Sequence, residues 1–354
     1  MKTEILKVNP AQPDYVAIHR CAKVIQQGGL VVFPTETVYG IAADFWNPDA
    51  MKRLREVKKR SDGKPFAVII SQKGLIVNYT RSLDTRIYKL IDAYWPGPLT
   101  VVIPAKQEGR TVGVRMPDHL IAQELTRSAQ CAVAAPSANF EGNPPPVTCE
   151  EALRDMDGLV DLAIDGGPCQ IGRGSTVVDM TQTEPVVLRE GDVSGEEIVS
   201  ATKKKTVLFV CTGNSCRSVM AEYLLRDMLG KRPDVEVSSA GTGVFFRSPP
   251  SQDTLAVLSD EGIDARPHLA QPITSILLKK SDLIFVMTRG HRMQVLERAP
   301  EVEKRVYLLK EFANIPTDSF LGNDIPDPMG QSYQAYRDCI RVIKEAMNRI
   351  VDLI

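Results

Sequence analysis

The stretch VLFVCTGNSCRS, residues 207–218, sets two thiols, Cys211 and Cys216, around four small or polar residues, with Arg217 next. Four apolar residues precede Cys211, as in a strand buried on both faces of a parallel sheet. An amphipathic run follows from 216 to 229, so the cysteines fall on a strand-to-helix turn. Gly213, Asn214 and Ser215 let successive backbone N–H groups of such a turn point inward as an anion nest. The helix N-terminus adds positive potential, and the Arg217 guanidinium can grip two oxygens of a tetrahedral anion. These surroundings favour a thiolate at Cys211, aimed at a bound phosphoryl group, with the Ser218 hydroxyl in reach of the sulfur. Thr212, Gly213, Asn214, Ser215, Cys216 and Ser218 complete the loop.

Phosphoryl transfer to sulfur requires a proton for the leaving group. Asp327, before Pro328 in NDIPDPMGQSYQAY (323–336), offers one, because proline biases the residue before it out of helix. Cys216 has a second reading, as a thiol that resolves oxidised Cys211 into a disulfide.

The pattern after residue 203 is regular. Strands are expected at 206–210, 235–239, 282–287 and near 305–309, and helices at 216–229, 250–262, 289–298 and 331–352. That is a Rossmann-like parallel α/β domain, 204–354. Together with the thiol loop and the D-P turn, it resembles the low-molecular-weight protein tyrosine phosphatases. The resemblance implies Cys211 as nucleophile, Arg217 as phosphate binder and Asp327 as proton donor, acting on a phosphoprotein. Met329-Gly330 stands where phosphotyrosine enzymes carry aromatic residues, and Ser215 resembles the small hydroxyl residue of bacterial protein arginine phosphatases. Phosphoarginine and phosphotyrosine both remain open, with phosphoarginine slightly favoured. The related thiol-linked arsenate reductases need further downstream cysteines; only Cys339 follows.

Residues 1–203 alternate short β-rich runs (29–34, 66–70, 99–104, 112–117, 131–136, 162–165, 175–180, 185–190) with helical ones (15–27, 49–60, 84–94, 119–128, 194–201). No clean strand–helix–strand repeat emerges, so a mixed sheet is expected. No Walker-type or dinucleotide-type glycine loop is present. Instead PTETVYGIAAD (34–44), KKRSDGKPF (58–66), GVRMPDH (113–119), APSANFEGNPPP (135–146), DGGPCQIGRGSTVVD (165–179) and LREGD (188–192) place hydroxyl, amide and cationic residues at strand ends. They describe a polar cleft, with Lys58 and Arg60 a basic pair suited to a polyphosphate.

In order and content these segments resemble the YrdC-like threonylcarbamoyl-AMP synthases over about residues 5–202, through the K-x-R of Lys58 and Arg60 and the S-x-N of Ser137 and Asn139. Ser61 and Glu141 depart from the usual pattern beside these motifs. The resemblance implies condensation of L-threonine, bicarbonate and ATP, with Mg2+ on the nucleotide, for threonylcarbamoyladenosine in tRNA. It implies Thr35, Arg115 and Ser175 around threonine, and Lys58, Arg60, Thr111, Ser137, Asn139 and Arg189 around ATP. The partners it implies are tRNA or tRNA-modification proteins. The alternative is an RNA-binding regulatory module attached to a phosphatase or arsenate reductase.

Composition narrows the rest. Apolar residues are 43% and charged residues 25%, ordinary for a globular chain, with net charge −1. The seven cysteines follow no disulfide pattern and the four histidines have no metal-ligand spacing, so no metal site is expected. The first residues show no signal-peptide pattern, and no run is long and apolar enough for a membrane span. A cytoplasmic location away from membranes is the expectation.

Overall fold

The computed structural model describes residues 2–59, 65–81, 83–316 and 322–354. The chain divides into two compact units, Met1–Thr202 and Lys203–Ile354.

The first unit runs β1 (Glu4–Lys7), α1 (Tyr15–Gln26), β2 (Val31–Phe33), β3 (Gly40–Asp44), α2 (Pro48–Val57), β4 (Val68–Ile69), α3 (Thr85–Tyr94), β5 (Leu99–Pro104) and β6 (Thr111–Arg115). It continues with α4 (Leu120–Ala129), β7 (Val133–Ala134), α5 (Cys149–Met156), β8 (Leu162–Asp165), β9 (Thr176–Asp179), β10 (Val186–Arg189) and α6 (Gly195–Lys203). The strands form one mixed ten-stranded sheet, ordered β1-β8-β2-β3-β7-β4-β6-β5-β9-β10. Caps start the helices where sequence chemistry dictates: Asp14, Asn47, Asp84 and Thr148 each accept a backbone N–H in the first turn of α1, α2, α3 and α5.

Two strands and a helix of this unit escape the sequence reading. β1 is a polar edge strand, paired only to β8. α5 is short and follows three prolines. β3 lies inside PTETVYGIAAD, where the polar residues mask it. It pairs antiparallel with β2, and Gly40 sits opposite Phe33 so closely that a Cβ would lie 3.0 Å from the Phe33 ring.

The second unit runs β11 (Lys205–Cys211), α7 (Arg217–Leu229), β12 (Val235–Gly241), α8 (Gln252–Asp260), α9 (Ser275–Lys280), β13 (Leu283–Val286), α10 (Arg289–Arg298), β14 (Val306–Leu308), α11 (Leu309–Phe312) and α12 (Tyr333–Ile350). Its four strands are parallel, in the order β12-β11-β13-β14. β11 is central, and its alternation divides the core. Val207 and Phe209 pack with α7 and α12 on one face, while Leu208 and Val210 pack with Val295 of α10 on the other. From β11 the chain turns to β12 on one side and later returns to β13 on the other. The crevice of such a sheet opens at this switch, beyond the strands' C-terminal ends. β11 ends at Cys211, in that crevice. Among the described residues no helix is long and apolar enough to cross a membrane.

Candidate active sites

In the second unit the loop after β11 delivers Cys211 and Cys216, both nearly fully buried, and α7 begins at Arg217 with Cys216 as its cap residue. Asn214 takes the left-handed conformation, φ 50°, which lets the loop reverse. Gly241 of β12 backs the turn; a Cβ there would fall 2.4 Å from the Thr212 carbonyl oxygen, so the close approach requires glycine.

A hydrogen-bond chain runs outward from Cys211. Cys211 Sγ lies 3.0 Å from Ser218 Oγ. Asn214 Nδ2 donates to Ser218 Oγ at 3.0 Å and to Ser239 Oγ at 2.7 Å, and Ser239 in turn donates to the Glu222 carboxylate. Because Ser218 Oγ accepts from Asn214, its own proton is free to serve the sulfur. His268 Nε2 donates to the Asn214 carbonyl at 3.1 Å and its Nδ1 lies 3.7 Å from Glu222. Burial pushes the Glu222 carboxyl above its ordinary value and the His268 imidazole below its own. Asn214 and Ser218 stand out in the sequence, whereas Ser239, Glu222 and His268 do not, lying far from the thiol loop along the chain or on the buried side of α7.

Arg217 meets the loop that carries Asp327. Its Nη1 donates to the Ile325 carbonyl at 3.0 Å, and its Nη2 donates to the Asp327 carboxylate. Its Nε is buried without a hydrogen-bond partner among the described residues, a donor of the kind a bound oxyanion satisfies. Asp327 also accepts from the Met329 backbone N–H at 3.2 Å, the local turn that Pro328 favours. Cys216 Sγ lies 3.5 Å from Ser251 Oγ, 3.6 Å from Ser215 Oγ and 3.7 Å from the Tyr336 hydroxyl. Cys339 is buried in α12, and burial pushes its thiol up to about 12.

The first unit holds a cleft of about 570 Å³. Thr35, Thr111, Arg115, Ser137, Asn139, Ser175 and Arg189 all line it, delivered from the ends of β2, β6, β9 and β10 and from the segment after β7. Its volume lies within the range of small-molecule sites. Thr35 is buried, and its hydroxyl donates to the Val38 carbonyl at 2.6 Å. Ser175 Oγ lies 2.8 Å from Thr100 Oγ1, and Arg189 donates through Nε and Nη2 to the Ser175 carbonyl at 3.0 and 2.8 Å.

Arg115 is held from behind by Glu36, Nη2 to Oε1 at 2.7 Å, with both side chains buried. Glu36 Oε2 is buried with no hydrogen-bond partner among the described residues. The sequence reading quoted Glu36 within PTETVYG without giving it a role. Lys58 stands behind the wall: it is 2% exposed, and its ammonium donates to the Ser137 and Asn139 carbonyls at 2.6 and 2.5 Å. The K-x-R lysine therefore braces the S-x-N segment. Arg60 lies outside the described residues. Among the described residues no group of three or more His, Cys, Asp and Glu side chains gathers as a metal site.

The model of the Sua5, YciO and YrdC family, described as Telomere recombination, matches residues 23–191, and that of low molecular weight phosphotyrosine protein phosphatases matches residues 206–354. A putative threonylcarbamoyl-AMP synthase of Mycobacterium tuberculosis is 40% identical over 182 residues, covering 49% of this chain and 83% of that protein. The threonylcarbamoyl-AMP synthase of Bacillus subtilis is 36% identical over 205 residues, 55% of this chain. The chain spans only 58% of that relative's length. Among solved structures, Sua5 of Pyrococcus abyssi complexed with L-threonine aligns with a TM-score of 0.54 at 24% identity, over 86% of this chain and 99% of that one, a likeness of fold. With this cleft and this thiol loop on separate compact units, the chain belongs to the Sua5/YciO/YrdC family and carries a low-molecular-weight phosphatase domain behind it.

Proposed function

We propose that the chain is a bifunctional enzyme. Its first unit makes threonylcarbamoyl-AMP and pyrophosphate from L-threonine, bicarbonate and ATP, supplying tRNA modification. Its second removes phosphoryl groups from protein through a cysteinyl-phosphate. The observation that carries the first half is the convergence of Thr35, Arg115, Ser175, Thr111, Ser137, Asn139 and Arg189 on one cleft. Arg115 suits the threonine carboxylate and Arg189 the nucleotide phosphates. Mg2+ would arrive on the triphosphate, held mainly by its phosphate oxygens. The L-threonine named with the Pyrococcus abyssi structure supports the same substrate here. The test is mass-spectrometric detection of threonylcarbamoyl-AMP from the purified chain, with threonine or bicarbonate omitted in turn.

The second half rests on the Cys211–Ser218 contact and the pairing of Arg217 with Asp327. Cys211 attacks phosphorus while Asp327 protonates the leaving group. The same carboxylate then takes a proton from the water that hydrolyses the thiophosphate. Ser215 in the loop favours phosphoarginine. A phosphotyrosine reading has its own support. The segment from Gly243 to Ser251 is tied at both ends to the phosphate loop, Gly243 N–H to the Thr212 carbonyl at 3.0 Å and Ser251 N–H to the Ser215 carbonyl at 3.1 Å. It carries Phe245 and Phe246, 95% and 77% exposed. These supply the aromatic surface that Met329-Gly330 lacks, and the FF pair was its signal in sequence. Comparing kcat/KM for phosphoarginine and phosphotyrosine in the native chain and in Ser215→Ile decides the preference. A shift toward phosphotyrosine in the variant supports selection by Ser215, and an unchanged ratio removes it.

A further inference from the structure

We propose that His291 is a positioning residue of the phosphatase reaction, bridging the nucleophile loop to the first turn of α10 and to the acid loop that this turn holds. The inference rests on the phosphatase reading of the second unit. His291 is 5% exposed and was assigned nothing from sequence. Its Nε2 lies 2.9 Å from the hydroxyl of Thr212, the residue after the nucleophile, and its Nδ1 lies 2.9 Å from the hydroxyl of Thr288.

The proton arrangement follows from the helix cap. Thr288 Oγ1 already accepts the His291 backbone N–H at 3.2 Å, leaving its own proton to donate to Nδ1. His291 then carries its proton on Nε2 and donates it to Thr212. Burial, with the Arg217 charge second, pushes the imidazole down to about 4, so the ring stays neutral in this role.

The same turn holds the acid loop. The Arg289 backbone N–H donates to Asp324 Oδ1 at 2.9 Å, and the Ile325 N–H donates to the Met287 carbonyl at 2.8 Å. Two residues on stands Asp327. One buried imidazole thus ties Thr212, beside the attacking sulfur, to the turn on which the proton donor hangs. Misplacing the sulfur slows attack without removing the donors that bind phosphate, so the effect belongs in kcat.

Three substitutions separate the contacts, assayed on the full chain with p-nitrophenyl phosphate. Glutamine can place an amide donor at the Nε2 position, and asparagine only near Nδ1. His291→Gln should retain kcat within about threefold, and His291→Asn should lower it about tenfold, the size of one lost hydrogen bond. KM and the inhibition constant for inorganic phosphate should move less than twofold. His291→Asn combined with Thr212→Val should lose no more than the worse single variant. Nitrogen-15 NMR of the native imidazole should show a neutral ring protonated at Nε2 at pH 6, with its Nε2 signal shifted in Thr212→Val. Equal losses in Gln and Asn variants, additive losses in the double variant, or a ring protonated at Nδ1 would overturn the proposal. The NMR result stands whether or not the chain hydrolyses phosphate esters. An inert native chain with the expected Nε2 signal refutes the phosphatase reading and leaves the bridge intact.

Discussion

Arg217 and Asp327 face each other across the phosphate loop, the guanidinium donating through Nη2 to the carboxylate. The arginine side chain is 5% exposed and the aspartate 47%, so Asp327 sits at the rim and Arg217 at the floor. On the proposed phosphatase reaction, that arrangement would set the carboxyl at the leaving group and the guanidinium at the phosphoryl oxygens.

Asp327→Asn should therefore act according to the leaving group. With phenyl phosphate, whose phenolate needs a proton, kcat/KM, which reports the attack step and not the later hydrolysis, should fall about 10²–10⁴-fold. With p-nitrophenyl phosphate the fall should be much smaller, because nitrophenolate departs unprotonated. Steady-state kinetics on both esters checks this; equal losses would remove Asp327 from proton transfer.

Neutral His291 also predicts an acid sensitivity. Its folded value is depressed to about 4, below the ordinary 6.5 of an unfolded histidine. Between these values the unfolded chain binds the extra proton, so stability is fully present above about pH 6.5 and is lost as pH falls toward 4. The slope contributed is at most about 1.4 kcal/mol per pH unit. His268 is depressed by burial too and adds to the loss with the same sign. Chemical denaturation of the second unit from pH 4 to 8 should show a shallower decline in His291→Gln; parallel curves would contradict it.

Glu36 and Arg115 form a buried pair whose loss should be felt in both stability and binding. Glu36→Ala leaves the arginine uncompensated and should cost about 3–5 kcal/mol. Glu36→Gln keeps a hydrogen-bond acceptor and should cost less, while raising KM for threonine more than KM for ATP. Denaturant melts and pyrophosphate-release kinetics read the two effects separately. Equal KM changes would place Glu36 outside the threonine subsite.

Cys216 carries a redox prediction. Peroxide converts the Cys211 sulfur to a sulfenic acid, and attack by the Cys216 thiol forms the disulfide and releases water. After peroxide and then dithiothreitol, the native phosphatase should recover most of its starting activity. Cys216→Ser, normalised to its own starting activity, should recover far less. Equal recovery would make Cys216 a packing residue among Ser215, Ser251 and Tyr336.

Much of this molecule is legible in its residues, for identifiable reasons. Parallel strands such as β11 announce themselves as continuous apolar runs, and the thiol loop sits where a strand-to-helix turn must open. β3 is concealed because its residues sit in a motif dense with cleft-lining polar groups. The buried partners Glu36, Glu222 and His291 are concealed for another reason. A lone charged residue on a helix or turn looks solvated until the fold shows what it meets. Lys58 adds a contact of the same kind: its ammonium meets the Ser137 and Asn139 carbonyls, backbone partners that a charge in the sequence does not announce.

The most direct measurement takes one purified chain through two assays, pyrophosphate release from ATP and hydrolysis of p-nitrophenyl phosphate, in native, Cys211→Ser and Arg115→Ala forms. Two independent centres predict that pyrophosphate appears only with both threonine and bicarbonate present. Arg115→Ala should abolish it and leave ester hydrolysis intact, and Cys211→Ser should do the reverse. Pyrophosphate release without threonine, or ester hydrolysis that survives Cys211→Ser, would contradict the account.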